Sequence, residues 1–157
     1  MDLRTLDARF ADCEILISNV INKSLDSESY KHEICRSLVL ETISNYETII
    51  EDIFVERANK TNDRHIINYV KNQVSKKFRS PDLSKITEIL SQFDPDLKKE
   101  FLTKVANSPI HSAWDNLMKA RHSIVHKQGN LQLTYDELKR TYPDTKTVLE
   151  ELISLLT

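Results

Sequence analysis

Apolar residues recur along this chain at intervals of three and four, the spacing that places side chains on one face of an α-helix. Residues 2–25 carry such a stripe in Leu3, Leu6, Phe10, Cys13, Leu16, Ile17 and Val20. A longer stripe, Cys35, Val39, Ile43, Tyr46, Ile50, Ile53 and Phe54, runs through residues 29–60. Only the polar break Asp26-Ser27-Glu28-Ser29 separates them, which predicts two long helices packed as an antiparallel pair. Asn62-Asp63 opens a third helix to about Phe78, with Ile66, Val70, Val74 and Phe78 facing inward.

Further along, Ser80-Pro81, Asp94-Pro95 and Ser108-Pro109 repeat one device: a polar N-cap residue, then a proline at the first helical position, where its missing N–H costs nothing. They predict short helices near 81–93 and 95–106 and a longer one from Pro109 to about Lys127. That helix should end on Gly129 as a left-handed cap. Thr134 and Glu137 fit a capping box for a last helix, which Pro143 is expected to kink or split.

Composition narrows the fold class. Gly129 is the single glycine of 157 residues, where average usage would supply about ten. Tight hairpins and dinucleotide loops need glycine for positive φ, so an all-α reading is the economical one. No repeat, linker or low-complexity tract interrupts the pattern. The expectation is one all-α domain over residues 1–157, a helical bundle built on a long antiparallel helix pair plus shorter helices. No apolar run has the roughly 18 residues of a membrane span. Cys13 and Cys35 form no ligand pattern and read as packed thiols, so the expected compartment is the cytoplasm.

Charge is unevenly spread although the net value is −2. Residues 57–79 carry 7 Lys/Arg against 1 Asp/Glu, and residues 104–127 carry 4 against 1. A basic strip on an acidic chain suits a polyanion, and Lys71, Lys76 and Lys77, off the apolar stripe of the third helix, are candidate RNA contacts. The same strip read blandly is a solvated face.

The second basic stretch contains the chemistry. Arg121-His122-Ser123-Ile124-Val125-His126 closes an amphipathic helix whose apolar face is Ile110, Ala113, Trp114, Leu117, Met118, Ile124 and Val125. Arg121 falls inside that face. A guanidinium there needs a carboxylate, a phosphate or water. Glu47 or Glu51 on the second helix is the candidate structural partner, and phosphate held in a bidentate fork is the functional one. His122 and His126, four residues apart, share the opposite flank. Third and fourth zinc ligands are not evident, so no metal is expected. An imidazole titrating near neutral pH can take a proton from one oxygen and return it to another. Arg121 and His126 lie about 140° apart on an ideal helix, so either the Arg reaches round or the site spans two copies of the helix.

An Arg, a polar residue, three spacers and a His near the end of a helix, in an all-helical frame of this size, resemble the signature of HEPN domains. These are compact helical domains, many of them metal-independent RNases. The resemblance implies that Arg121 and His126 are the catalytic Arg and His, with His122 at the adjacent polar position. It implies a homodimer through the motif helix, with two motifs facing one cleft, an expectation that the apolar Trp114 and Met118, one and two turns before the histidines, also favour. Tyr46-Glu47 looks like an aromatic-acid pair of some HEPN subfamilies, with Glu51 and Lys127 in support. No tyrosine follows His126, so a nucleotide-accepting tyrosine is not supported.

The implied activity is metal-independent, cofactor-free endoribonuclease cleavage leaving 2′,3′-cyclic phosphate ends, in a toxin or antiviral defence effector. Its partners would be RNA, a second copy, and a cognate antitoxin or a fused or neighbouring effector protein. The alternatives are a non-catalytic HEPN-like module binding a partner protein or nucleotide, and a helical scaffold in which the motif is coincidence.

Overall fold

The computed structural model describes residues 3–22, 27–77, 80–106, 109–126 and 131–156. These residues form α1 (Leu3–Asn22), α2 (Ser27–Asn59), α3 (Arg64–Lys77), α4 (Leu83–Phe93), α5 (Pro95–Val105), α6 (Pro109–His126) and α7 (Tyr135–Leu156), and no strand. The Gly129 cap, Ser108, Phe78 and Asp26 lie outside the described residues, as do the side chains of Leu3, Leu6 and Val20; Ser27, Glu28 and Ser29, expected in the polar break, instead form the first turn of α2.

The axis of the fold is α2, whose 33 residues span about 50 Å. It packs against α1, α3, α6 and α7. Every residue of its expected stripe is buried, and Leu38, Thr42, Asn45 and Ala58 widen the buried face. Fully burying each Leu, Ile or Phe contributes about 1.5–3 kcal/mol, so this helix holds much of the core. The α1–α2 pair is antiparallel as expected: Arg9 meets Glu41 at 3.2 Å, while Glu14, further along α1, feels Lys31 near the start of α2.

Local signals account for several boundaries. Asn62 takes up φ 53°, a left-handed conformation asparagine tolerates, where the last turn of α2 unwinds. Asp63 then caps α3 by accepting from the His65 and Ile66 amides. Asp94 caps α5 through the Asp96 amide at 2.8 Å, with Pro95 at the first position. In the Thr134–Glu137 capping box, the Glu137 amide donates to Thr134 Oγ1 at 3.2 Å and the Thr134 amide to Glu137 Oε2 at 3.0 Å.

Others differ from the expectation. Ser80-Pro81 does not open α4; the cap is Asp82, and the helix starts at Leu83. The buried Pro81 carbonyl instead accepts the Trp114 indole N–H at 2.9 Å, so a tertiary bond claims the segment the local signal assigned to a helix. Pro143 does not split the last helix, which runs unbroken for 22 residues. Leu16, Ile66 and Val125 belong to predicted stripes yet are exposed. Both cysteines are buried and free. Burial pushes the Cys35 thiol up to about 12, and its Sγ donates to the Leu133 carbonyl.

Two matching polar clasps join α1 to α7. Glu14 accepts from the Tyr135 hydroxyl and Lys139 Nζ. Asp7, seven residues earlier, accepts from the Tyr142 hydroxyl at 3.0 Å and Lys146 Nζ at 2.9 Å. Between them Phe10 stacks on Tyr142 with ring centroids 4.2 Å apart.

Candidate active site

The motif helix α6 is anchored by its apolar side. Trp114 is fully buried, stacks on Tyr46 with centroids 5.2 Å apart, and has its one polar atom satisfied by Pro81. Met118 is buried as well. Neither is free to form the apolar dimer surface expected from the sequence; of the α6 apolar residues, Val125 is the one left half exposed. Tyr46 is likewise core rather than site: its hydroxyl is shared with Thr145 Oγ1 at 2.7 Å, and burial raises its pKa.

With α6 fixed this way, its outer stripe carries Asp115, Lys119, His122 and His126, spaced four, three and four residues apart and therefore on one side. The His122 and His126 rings lie with centroids 4.3 Å apart and planes tilted by 45°. This stripe forms part of an open groove of about 940 Å³. One bank is Ser80, Asp82 and Lys85 from the segment leading into α4, and the other is Gln132, Leu133, Glu137, Arg140 and Thr141 from α7 and its approach.

Arg121 lines the same groove as both histidines. Despite the offset of about 140°, the Arg side chain and His126 border one groove within a single chain. Its guanidinium is half-buried, with Nη2 3.4 Å from Glu47 Oε1. That separation makes an ion pair, but Glu47 Oε1 has no hydrogen-bond partner among the described residues. Burial raises the Glu47 carboxyl above its ordinary range, Arg121 opposes the rise, and Glu51 one turn on reinforces it. Arg121 thus has the carboxylate partner the structural reading called for and also borders the groove. Glu47 is its partner, whereas the Glu51 carboxyl, raised by its own burial and by Asp52, makes no ion pair with it among the described contacts.

The basic strip of α3 stands apart. Lys71, Lys76 and Lys77 do not line the groove, and Lys77 is not free as expected but paired with Glu88 on α4. Lys127 lies outside the described residues. Sequence reasoning missed Lys85, Lys119 and Arg140. Lys119 had a signal, since it sits on the stripe of the two histidines. Lys85 and Arg140 come from other elements and are brought in only by packing. Among the described residues no group of three or more His, Cys, Asp and Glu side chains is placed to hold a metal ion, and no helix is long and apolar enough to cross a membrane.

The described fold is an all-helical bundle. The model of the RiboL-PSP-HEPN family matches residues 7–157, nearly the whole chain, and the protein belongs to that family. No curated protein and no solved structure gives a match.

Proposed function

We propose that this chain is a metal-independent endoribonuclease, acting as a toxin or antiviral defence effector. The observation that carries the reading is the groove itself, which gathers Arg121, His122 and His126 beside open solvent while Glu47 fixes the guanidinium from behind. A guanidinium with a bidentate fork suits the non-bridging oxygens of a phosphodiester, and two imidazoles in contact suit proton traffic between the oxygens on either side.

In the proposed reaction His126 takes the proton of a ribose 2′-hydroxyl as that oxygen bonds to phosphorus. Arg121 offsets the charge that builds on the phosphorane oxygens. The bond to the 5′-oxygen breaks, and the proton returns to that leaving oxygen. The products are a 2′,3′-cyclic phosphate and a free 5′-hydroxyl. His122, against the His126 ring, orients it or shares the proton. DNA has no 2′-hydroxyl and is inert by this route. A second copy across α6 remains part of the proposal, with Val125 and the histidine stripe as the facing surface, although Arg121 and His126 do not need it to share a groove.

The test is cleavage of a mixed RNA pool with EDTA present, wild type against His126→Ala. A positioned general base is worth about 10²–10⁴-fold in rate, and His126 is exposed, so activity should collapse while helicity and melting stay intact. Cleavage that survives His126→Ala, or that EDTA abolishes, would sink the mechanism. A wild type with no activity on any RNA would favour a module that binds a partner without catalysis.

A further inference from the structure

The groove's charges are not equally available. Two of its three carboxylates are already engaged: Asp82 meets Lys85 at 3.2 Å, and Glu137 is bound into its capping box, where the Thr134 backbone and side-chain bonds hold its carboxyl below the ordinary range; the third, Asp115, lies 3.6 Å from His111, which balances its charge only when the imidazole is protonated. Two cations make no ion pair, although Arg140 is near enough to help hold the Glu137 carboxyl low. Lys119 on α6 and Arg140 on α7 both line the groove, both are exposed, and neither makes an ion pair with a described residue. Elsewhere several helix-borne lysines are neutralised within the fold, Lys77 by Glu88, Lys104 by Glu151, Lys139 by Glu14 and Lys146 by Asp7, whereas Lys71 and Lys76 on α3 are exposed and unpaired among the described contacts but lie outside the groove.

Position adds to charge. Lys119 is seven residues before His126 on one stripe, about 10 Å along the helix axis. Arg140 faces the same groove from the α7 bank, so the histidines and these two cations enclose one path rather than one point. No Phe, Tyr or Trp side chain lines the described groove, so apart from the two imidazoles the large stacking platforms that usually hold single-stranded bases are missing there. What the groove offers is free positive charge along a polar channel.

Resting on the ribonuclease reading above, we infer that Lys119 and Arg140 grip the phosphates flanking the cleaved one. Substrate affinity then comes from the sugar–phosphate backbone, and the α3 lysines contribute little. Arg140, with its planar fork, fits two oxygens of one phosphate, while Lys119 acts as a point charge.

The experiment measures binding of a short 2′-O-methyl oligouridine, which cannot be cleaved, by fluorescence anisotropy over a range of salt. The proteins are wild type, the double variant Lys119→Ala/Arg140→Ala, and Lys71→Ala/Lys76→Ala on α3, each checked for unchanged melting. For single strands each phosphate contact contributes about 0.7 to the slope of log K against log salt. Losing both groove cations should flatten the slope by about 1.4 and weaken binding at low salt, while the α3 variant keeps the wild-type slope. On cleavable RNA the groove variant's loss should fall in KM rather than kcat, whereas His126→Ala loses kcat. An unchanged slope in the groove variant, or a flattening confined to the α3 variant, overturns the inference and leaves the ribonuclease reading standing if wild type still cleaves. A wild type that neither binds nor cleaves RNA overturns both.

Discussion

Replacing Glu47 by Gln separates two roles that one ion pair performs. At 3.4 Å from Arg121 and an effective dielectric of about 20, the attraction is about 5 kcal/mol. Removing each ion from water costs several kcal/mol in return. The raised Glu47 carboxyl indicates which side wins: burial, helped by Glu51, outweighs the attraction of Arg121 and the weaker pull of Lys85. The protonated form therefore suits the fold better than the charged one. A carboxyl with a raised folded pKa contributes stability that is fully present below its unfolded value, about 4.3, and is lost as pH rises through the folded value. Gln imitates the protonated acid. Urea melts of the two proteins should coincide at the acid end, and the variant should equal or exceed wild type at neutral pH, to within about 1 kcal/mol of neutral or on the stabilising side. Cleavage should nonetheless fall, by up to about 10²-fold, because the guanidinium has lost the charge that holds it toward the groove. Two results would refute this reasoning. A loss of about 3–5 kcal/mol at neutral pH would mean the pair is a net stabilising buried salt bridge, and unimpaired cleavage would mean that Glu47 is not what orients Arg121.

Tyr46→Phe removes a buried hydroxyl from Thr145, whose own proton already goes to the Tyr142 carbonyl; it should cost about 1 kcal/mol in a denaturant melt without moving kcat, as a core residue would. The Glu14 carboxyl is held low by Lys139 and Tyr135, so its contribution is present above the unfolded value near 4.3 and lost as pH falls through the folded one; the protection of α1 amides, taken relative to their intrinsic exchange rate at each pH, should fall on acidification in wild type and less steeply in Glu14→Gln. Light scattering at micromolar concentration should report about twice 18.3 kDa, and Val125→Glu should shift it toward the single mass; a wild-type monomer would remove the two-copy site.

What could be read in the sequence was what local geometry decides. Asp94-Pro95 and Thr134 with Glu137 fold as expected because each cap is closed by residues two or three positions away. The α2 stripe was legible for the same reason, since a helix so deeply buried tolerates few polar interruptions. Ser80-Pro81 was misread because Trp114, 33 residues on, takes the carbonyl that fixes its conformation. In the site, Arg121, His122, His126 and the acid behind the Arg were visible from type and spacing. The groove was not: Lys85 and Arg140 reach it through helix packing, and Lys77 is withdrawn by a glutamate on another helix. Trp114 and Met118, apolar on a half-polar helix, were expected at a dimer surface because a helical projection shows which face is apolar, not what covers it.

The two clasps between α1 and α7 have a bearing on how the chain finds its alignment. Asp7 and Glu14 are seven residues apart, and so are Tyr135 and Tyr142, and Lys139 and Lys146. Seven residues return a helix to nearly the same face, so the two locks accept each other's keys. A slide of α1 by one such step in either direction would still close one of them. Sliding one way sets Asp7 against Tyr135 and runs Glu14 past the start of α7, beyond the reach of the second tyrosine and lysine. Sliding the other way sets Glu14 on Tyr142 and lays the Asp7 carboxylate over Leu149 and Ile153, where it would lose water and gain no donor. The repeat thus gives this antiparallel contact a vernier, in which a half-correct alignment is briefly tolerable and only one position engages both marks.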